Sequence, residues 1–284
     1  MTIAMGELFR FGSQKGALVC ADTKIVSSDL ATTTGTKIHL TLSPRKSAFA
    51  IADAAEDGNA AKMLALDLTS ALCDESVIHM GHVYNVVKHQ MTEWYGAYSG
   101  SRAPSIQFVL AAAIGGVCSL FYCSPPNSIL AKSYAFAVGQ GARVVDPLLP
   151  VETSPLPTVG EAILRATYWM RRAKRDEGSM CGGKTDMFLI SDRGGIGLLS
   201  GEELDAAESL AGDVDVLVSD FTYGVMSLDV EATQQKQAQA FTERYLSLDR
   251  RAKNIKFDGM ELLAGIGRKA RKKRADEAEK AGNQ

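Results

Sequence analysis

No C-x-x-C pair occurs in this sequence, and its five cysteines (Cys20, Cys73, Cys118, Cys123 and Cys181) are scattered and odd in number. That argues against a disulfide scaffold and for a reduced compartment. No sign of charge dominates. The 31 basic residues stand against 33 acidic ones, a net of −2, so no global field draws the chain to nucleic acid or to an anionic lipid surface. No long apolar run is present either: the longest, Phe108 to Tyr122, is broken by Gly115-Gly116 and is too short to span a bilayer. No basic segment followed by an apolar one opens the chain, so the expected location is the cytoplasm. His79, His82 and His89 lack a cysteine or carboxylate at ligand spacing, and Gly139-Gln140-Gly141 lacks the third glycine and the acidic residue of a dinucleotide loop. Neither metal nor cofactor is implied.

What is there reads as an ordinary globular chain of 284 residues, 46% hydrophobic and 23% charged, long enough for a substantial core. Ile3 to Phe11, a turn at Gly12–Gly16, and Ala17 to Ala21 predict a hairpin at the start. Lys37 to Leu42 and Ser47 to Ala52, separated by Ser43-Pro44-Arg45-Lys46, predict a second. The period then changes. Ala54 to Cys73 and Val83 to Tyr98 carry apolar residues at helical spacing. Ile106 to Ile114, Val117 to Tyr122 and Ser133 to Val138 return to strand character. Thr158 predicts an N-cap, with Glu161 completing a capping box, for a helix to about Lys174. Thr185 to Ile190 and Gly195 to Leu199 predict strands.

Hairpins and helices in separate blocks predict an α+β class, a four-layer α-β-β-α sandwich of antiparallel sheets, over residues 2–211. Residues 212–284 read as a partly helical C-terminal extension. Glu202 to Leu210 predicts a helix, Val214 to Ser219 a strand, Asp229 to Arg251 a polar helix, and Met260 onward a last charged one. The basic run Arg268 to Arg274 is followed by Asp276, Glu277 and Glu279, so it reads as one side of a solvated helix.

Chemistry enters at the second residue. Met1 is followed by the small residue Thr2, so its removal would leave a free N-terminal threonine directly ahead of a strand. A hydroxyl is a weak nucleophile until a base stands beside it, and an N-terminal threonine carries its own base in the α-amine. That amine titrates near ~7.7–8.0, so a substantial fraction is neutral at cellular pH. A nearby cation would lower the amine pKa and stabilise a developing oxyanion, and a carboxylate would hold that cation. Asp22, at the end of the second strand, and Lys37, at the start of the third, fall at neighbouring strand ends. A backbone N–H must face the oxyanion, and the turn after the fourth strand, around Ala52, is its expected source.

Thr2-Ile3-Ala4-Met5-Gly6, Gly16 to Asp22-Thr23, Lys37-Ile38, Ala52-Asp53-Ala54-Ala55-Glu56, Ala137 to Gly141, and Arg175-Asp176 with Cys181-Gly182-Gly183 recur in one order. With these the sequence resembles the proteasome β-type peptidases and their bacterial relatives among the N-terminal-nucleophile hydrolases, over about residues 2–200. Ala52 stands where that family has a glycine, and Gln140 where it has a serine. The resemblance implies a threonine-type endopeptidase with Thr2 as nucleophile, Lys37 tuning it, Asp22 orienting Lys37 and the Ala52 N–H at the oxyanion. Asp176, with Ser179 or Cys181, would support the N-terminus. It also places Ala50 and Ala54 at the substrate, and the small Ala50 implies a roomy pocket for a large apolar side chain. A peptide or unfolded-protein substrate, a homo-oligomeric ring and an ATP-dependent unfoldase partner follow from the resemblance alone. Two alternatives stay open: a non-catalytic structural ring subunit, and a small-molecule amidase of the same superfamily. Non-catalytic ring subunits carry a helix ahead of the first strand, whereas this chain opens on the strand.

Overall fold

The computed structural model describes residues 2–26, 32–43, 47–55, 57–98, 103–124, 128–132, 134–150, 155–226 and 231–254. Met1, the turn residues 44–46, Glu56, the helix expected from Met260 and the basic run 268–274 lie outside the described residues.

The first hairpin pairs β1 (Ile3–Phe11) with β2 (Gln14–Asp22) in a register running from Ala4↔Ala21 to Phe11↔Gln14. Gly12, at φ 59°, makes the tight turn that a side chain would resist. A short pair follows, β3 (Lys24–Val26) with β4 (Thr32–Thr34), then β5 (Ile38–Leu42) with β6 (Ala48–Ala55). Two helices come next, α1 (Gly58–Leu72) and α2 (Met80–Gly96), each capped at its start by a side chain, Asp57 and His79. The strands β7 (Ile106–Ile114), β8 (Val117–Ser124), β9 (Ser128–Lys132) and β10 (Phe136–Gly139) lead into the short α3 (Ala142–Val145). The long α4 (Val159–Asp176) opens on Thr158 with both bonds of its capping box to Glu161 formed. The described chain closes with β11 (Thr185–Ser191), β12 (Ile196–Leu198), α5 (Gly201–Met226) and α6 (Glu231–Asn254).

The fold is mixed, with antiparallel sheets. Among the described residues two sheets have five strands, ordered β10-β1-β2-β11-β12 and β5-β6-β7-β8-β9, and the third is the β3-β4 pair. Three apolar cores account for their assembly. Ala4, Ala17 and Val19 of the first sheet meet Ala50, Ala111 and Leu120 of the second in a core rich in alanine. The opposite face of the second sheet packs Phe49, Ile51 and Phe108 against Leu64, Leu68, Val83 and Val87 of α1 and α2. The opposite face of the first packs Ile3, Met5 and Phe9 against Ile163, Trp169 and Met170 of α4 and Ala207 of α5. A central strand such as β1 is covered on both faces, so it reads as a nearly continuous apolar run.

One expected element is overturned. Val214 to Ser219 is helical, part of α5, although its valines alternate like a strand. Ala207, Leu210, Ala211 and Leu217 are buried at helical spacing, while Val216 and Val218 are exposed, so packing overrides β-propensity here. Of the strand expected at Ser133 to Val138, Ser133 lies outside the described residues, Tyr134 and Ala135 are not strand and Phe136 to Val138 are; β9 is additional. α5 runs unbroken through residues 211 and 212. Among the described residues no helix is long and apolar enough to cross a membrane.

Candidate active site

The hairpin register sets Thr2, just ahead of β1, beside Asp22, at the end of β2. Lys37 comes in from the start of β5. The Asp22 carboxylate is the hub. Its Oδ1 accepts from the Thr2 hydroxyl, from the Ile3 N–H at 3.2 Å and from Lys37 Nζ at 2.7 Å, while its Oδ2 accepts from the Gly182 N–H at 2.8 Å. Lys37 Nζ also donates to the Lys24 carbonyl. Thr2, Asp22 and Lys37 are 3%, 0% and 4% exposed, so this ion pair is desolvated and depends on its hydrogen bonds being complete. Burial pushes the Lys37 ammonium below the ordinary lysine range, and the charge of Asp22, then that of Asp53, draws it partly back. The arrangement is a hydroxyl, an anion and a depressed ammonium held at one point.

The backbone around them is tightly drawn. Gly139 in β10 sits at φ 89°, and a Cβ there would overlap the Thr2 carbonyl oxygen and come within 2.8 Å of Ala54 Cβ. A cleft of about 1130 Å³ opens beside Thr2, and Lys37, His39, Asp53, Asn59 and Lys62 are among its walls. His39 Nε2 is buried without a hydrogen-bond partner, 3.7 Å from the Asp53 carboxylate.

The other residues singled out from the sequence fall in different places. Ala50, Ala52 and Ala54 point into the core between the two sheets, and none of the three is a wall of the cleft. The cleft residues of that strand are the alternate ones, Asp53 and Ala55. The Asp53 N–H bonds the Lys37 carbonyl at 3.1 Å, and successive residues of a strand address opposite neighbours. The Ala52 N–H therefore faces β7 within the ladder. Asp176 ends α4 paired with Arg175 at 2.7 Å and Arg172 at 3.4 Å. Ser179 contributes its carbonyl to Lys24 Nζ at 2.9 Å. Cys181 is buried near Lys37, and burial pushes its thiol up to about 12, so it stays neutral. Lys24, His39, Asp53 and the Gly182 N–H are site groups that the sequence reading did not single out for a role, although Gly182 and Lys24 lie in or beside recognised motifs.

No family model matches the chain, and no curated protein matches it. Solved structures do match. An Anbu (ancestral beta-subunit) protein from Yersinia bercovieri has a TM-score of 0.63 at 18% identity, covering 78% of this chain and 97% of its own. The Anbu Gly-1 mutant from Hyphomicrobium sp. strain MC1 reaches 0.62 at 17%, covering 81% and 99%. The helical assembly of the Anbu complex from Pseudomonas aeruginosa reaches 0.60 at 12%, covering 81% and 98%. All three are Anbu proteins. At these identities the likeness is one of fold.

That finding corrects the resemblance drawn from the sequence. Anbu proteins are proteasome-like but distinct from the proteasome β-type peptidases, to which neither a family model nor a curated protein ties this chain. The residues that carry the resemblance lie at strand ends, at glycine turns and at the end of α4, so they describe the architecture without separating the two groups.

Proposed function

We propose that this chain is a threonine-type peptide hydrolase whose nucleophile, Thr2, is freed by removal of Met1. The observation that carries the reading is the buried Thr2–Asp22–Lys37 constellation, of which Thr2 and Lys37 line the cleft. In the mature chain the Thr2 α-amine takes the proton from its own Oγ as Oγ adds to the substrate carbonyl carbon. The oxyanion that develops is stabilised by the Lys37 ammonium nearby, which Asp22 and the Lys24 carbonyl hold in place. Collapse breaks the C–N bond, and the amine passes its proton to the leaving nitrogen. Water then hydrolyses the threonyl ester and regenerates Oγ–H. No step calls for a cofactor.

The cleft of about 1130 Å³ has room for an extended peptide. Its walls mix polar groups such as Lys37, Asp53 and Lys62 with apolar ones such as Ile25, Ile38 and Ala55. We read the three cores as an α-β-β-α order of four layers, with residues 2–211 as the hydrolase domain and 212–284 as an extension that begins within α5. Residues 177–183 support Asp22 through the Gly182 backbone. Cytoplasmic location and a self-compartmentalising homo-oligomer, fed by an ATP-dependent unfoldase, complete the reading. The helical assembly seen for the Pseudomonas aeruginosa neighbour supports the oligomer.

The test is intact mass before and after treatment with a peptide epoxyketone or β-lactone. The expected result is loss of the Met1 mass and one adduct mapping to Thr2, absent in Thr2→Ala. Retained Met1, or a free Thr2 that is inert to every probe and cleaves no peptide, would overturn the reading in favour of a structural subunit.

A further inference from the structure

The segment that follows α4 brings the Gly182 N–H to Asp22, and its position needs an explanation. After Asp176 the chain makes one more turn, in which the N–H groups of Met180 and Cys181 both bond the Glu177 carbonyl, at 2.9 and 2.8 Å. A helix end leaves carbonyls in want of donors. Lys24 Nζ supplies them, donating to Gly178 O at 2.7 Å and Ser179 O at 2.9 Å. Its stem crosses the next residues: a Cβ on Gly182 would stand 3.0 Å from Lys24 Cδ, and one on Gly183 would stand 2.5 Å from Thr23 Oγ1 and 3.3 Å from Lys24 N. Its backbone joins the same construction, with Lys24 N donating to Gly182 O at 3.2 Å and Lys24 O accepting from Lys37 Nζ.

We infer that Lys24 is a positioning residue: its ammonium ties down residues 178–179 so that the Gly182 N–H reaches Asp22, and Asp22 in turn holds Lys37 and Thr2. This rests on the threonine-hydrolase reading above and adds to it a residue that touches neither substrate nor nucleophile. Removing the ammonium while keeping an unbranched stem loosens the segment, weakens the fourth hydrogen bond on Asp22 and leaves the carboxylate freer to move from Lys37. Lys37 then loses part of what offsets its burial, the Asp22 charge that acts on it together with Asp53; the neutral Cys181 thiol and Asp186 are its other titratable neighbours. Its ammonium deprotonates at lower pH.

The experiment compares Lys24→Met and Lys24→Arg with the wild-type full chain. Expected for Lys24→Met are kcat and the rate of Thr2 labelling by epoxyketone lower by tenfold or more, KM within twofold, and an alkaline limb of the pH–rate profile moved to lower pH. Lys24→Arg restores most of the rate. Independently of activity, hydrogen exchange at the Gly182 amide speeds up tenfold or more in Lys24→Met and returns toward wild type in Lys24→Arg. Unchanged Gly182 exchange in Lys24→Met overturns the inference. So does a rate loss with the pH profile unmoved and no recovery in Lys24→Arg, which marks a merely structural role. If the wild type itself is neither labelled nor active, the hydrolase reading fails, and the Gly182 exchange still decides whether Lys24 positions the segment.

Discussion

Replacing Glu7 with glutamine should abolish most of the pH dependence of stability between about pH 5 and 8.5. Glu7 lies in β1 opposite Leu18, 1% exposed, with Oε1 at 3.3 Å from the half-buried Arg165 of α4 and Oε2 without a hydrogen bond. Burial dominates, outweighing Arg165 and reinforced by Glu161, and raises the carboxyl from 4.5 to about 8; Cys20 of β2 is its other titratable neighbour. The folded chain therefore keeps a proton that the unfolded chain releases. Stability is full below pH 4.5 and falls as pH rises through the window to about 8. At about 1.36 kcal/mol per pH unit, tapering near the upper end, the wild type loses about 3 kcal/mol between pH 5.5 and pH 8.5. For a chain of this size that is a fall in Tm of roughly 6–12 °C. Glu7→Gln keeps the shape and still accepts from Arg165, but does not titrate. Urea unfolding followed by circular dichroism at the two pH values should show the variant nearly level and the wild type dropping. Parallel pH profiles for the two proteins would refute the assignment of that slope to Glu7.

Two further substitutions probe the frame. Gly139→Ala forces a side chain into a positive-φ position against the Thr2 carbonyl, so it should cost about 3 kcal/mol from strain and overpacking together, and should slow Thr2 labelling. A chemical-denaturation midpoint equal to the wild type's would contradict this packing. Thr158→Ala removes half of the capping box of α4 and should cost about 1 kcal/mol, read as a lower urea midpoint at unchanged slope, with no effect on labelling. An unchanged midpoint would show that tertiary packing alone holds that helix end.

Local order was legible in the sequence wherever a short-range signal decides it. The runs Ile3–Phe11 and Ile106–Ile114 are strands with those same bounds, and the Thr158–Glu161 pair does open a helix. The nearness of Thr2, Asp22 and Lys37 follows from strand-end arithmetic alone. What period-2 arithmetic cannot supply is the face. Ala50 and Ala54, expected at the substrate, point between the sheets while Asp53 and Ala55 meet the cleft, because a shift of one residue inverts every side chain in a strand. Val214–Ser219 alternates like a strand and is helical, in a helix whose Asp215 pairs with Arg171 and Arg175 of α4. The fourth bond on Asp22 comes from Gly182, 160 residues away in sequence. The sequence by itself determined which residue types could do the chemistry and which strand ends would carry them. The packing of the sheets and of α4 decided which backbone groups complete the site, because only chain segments distant in sequence bring those donors to a buried charge.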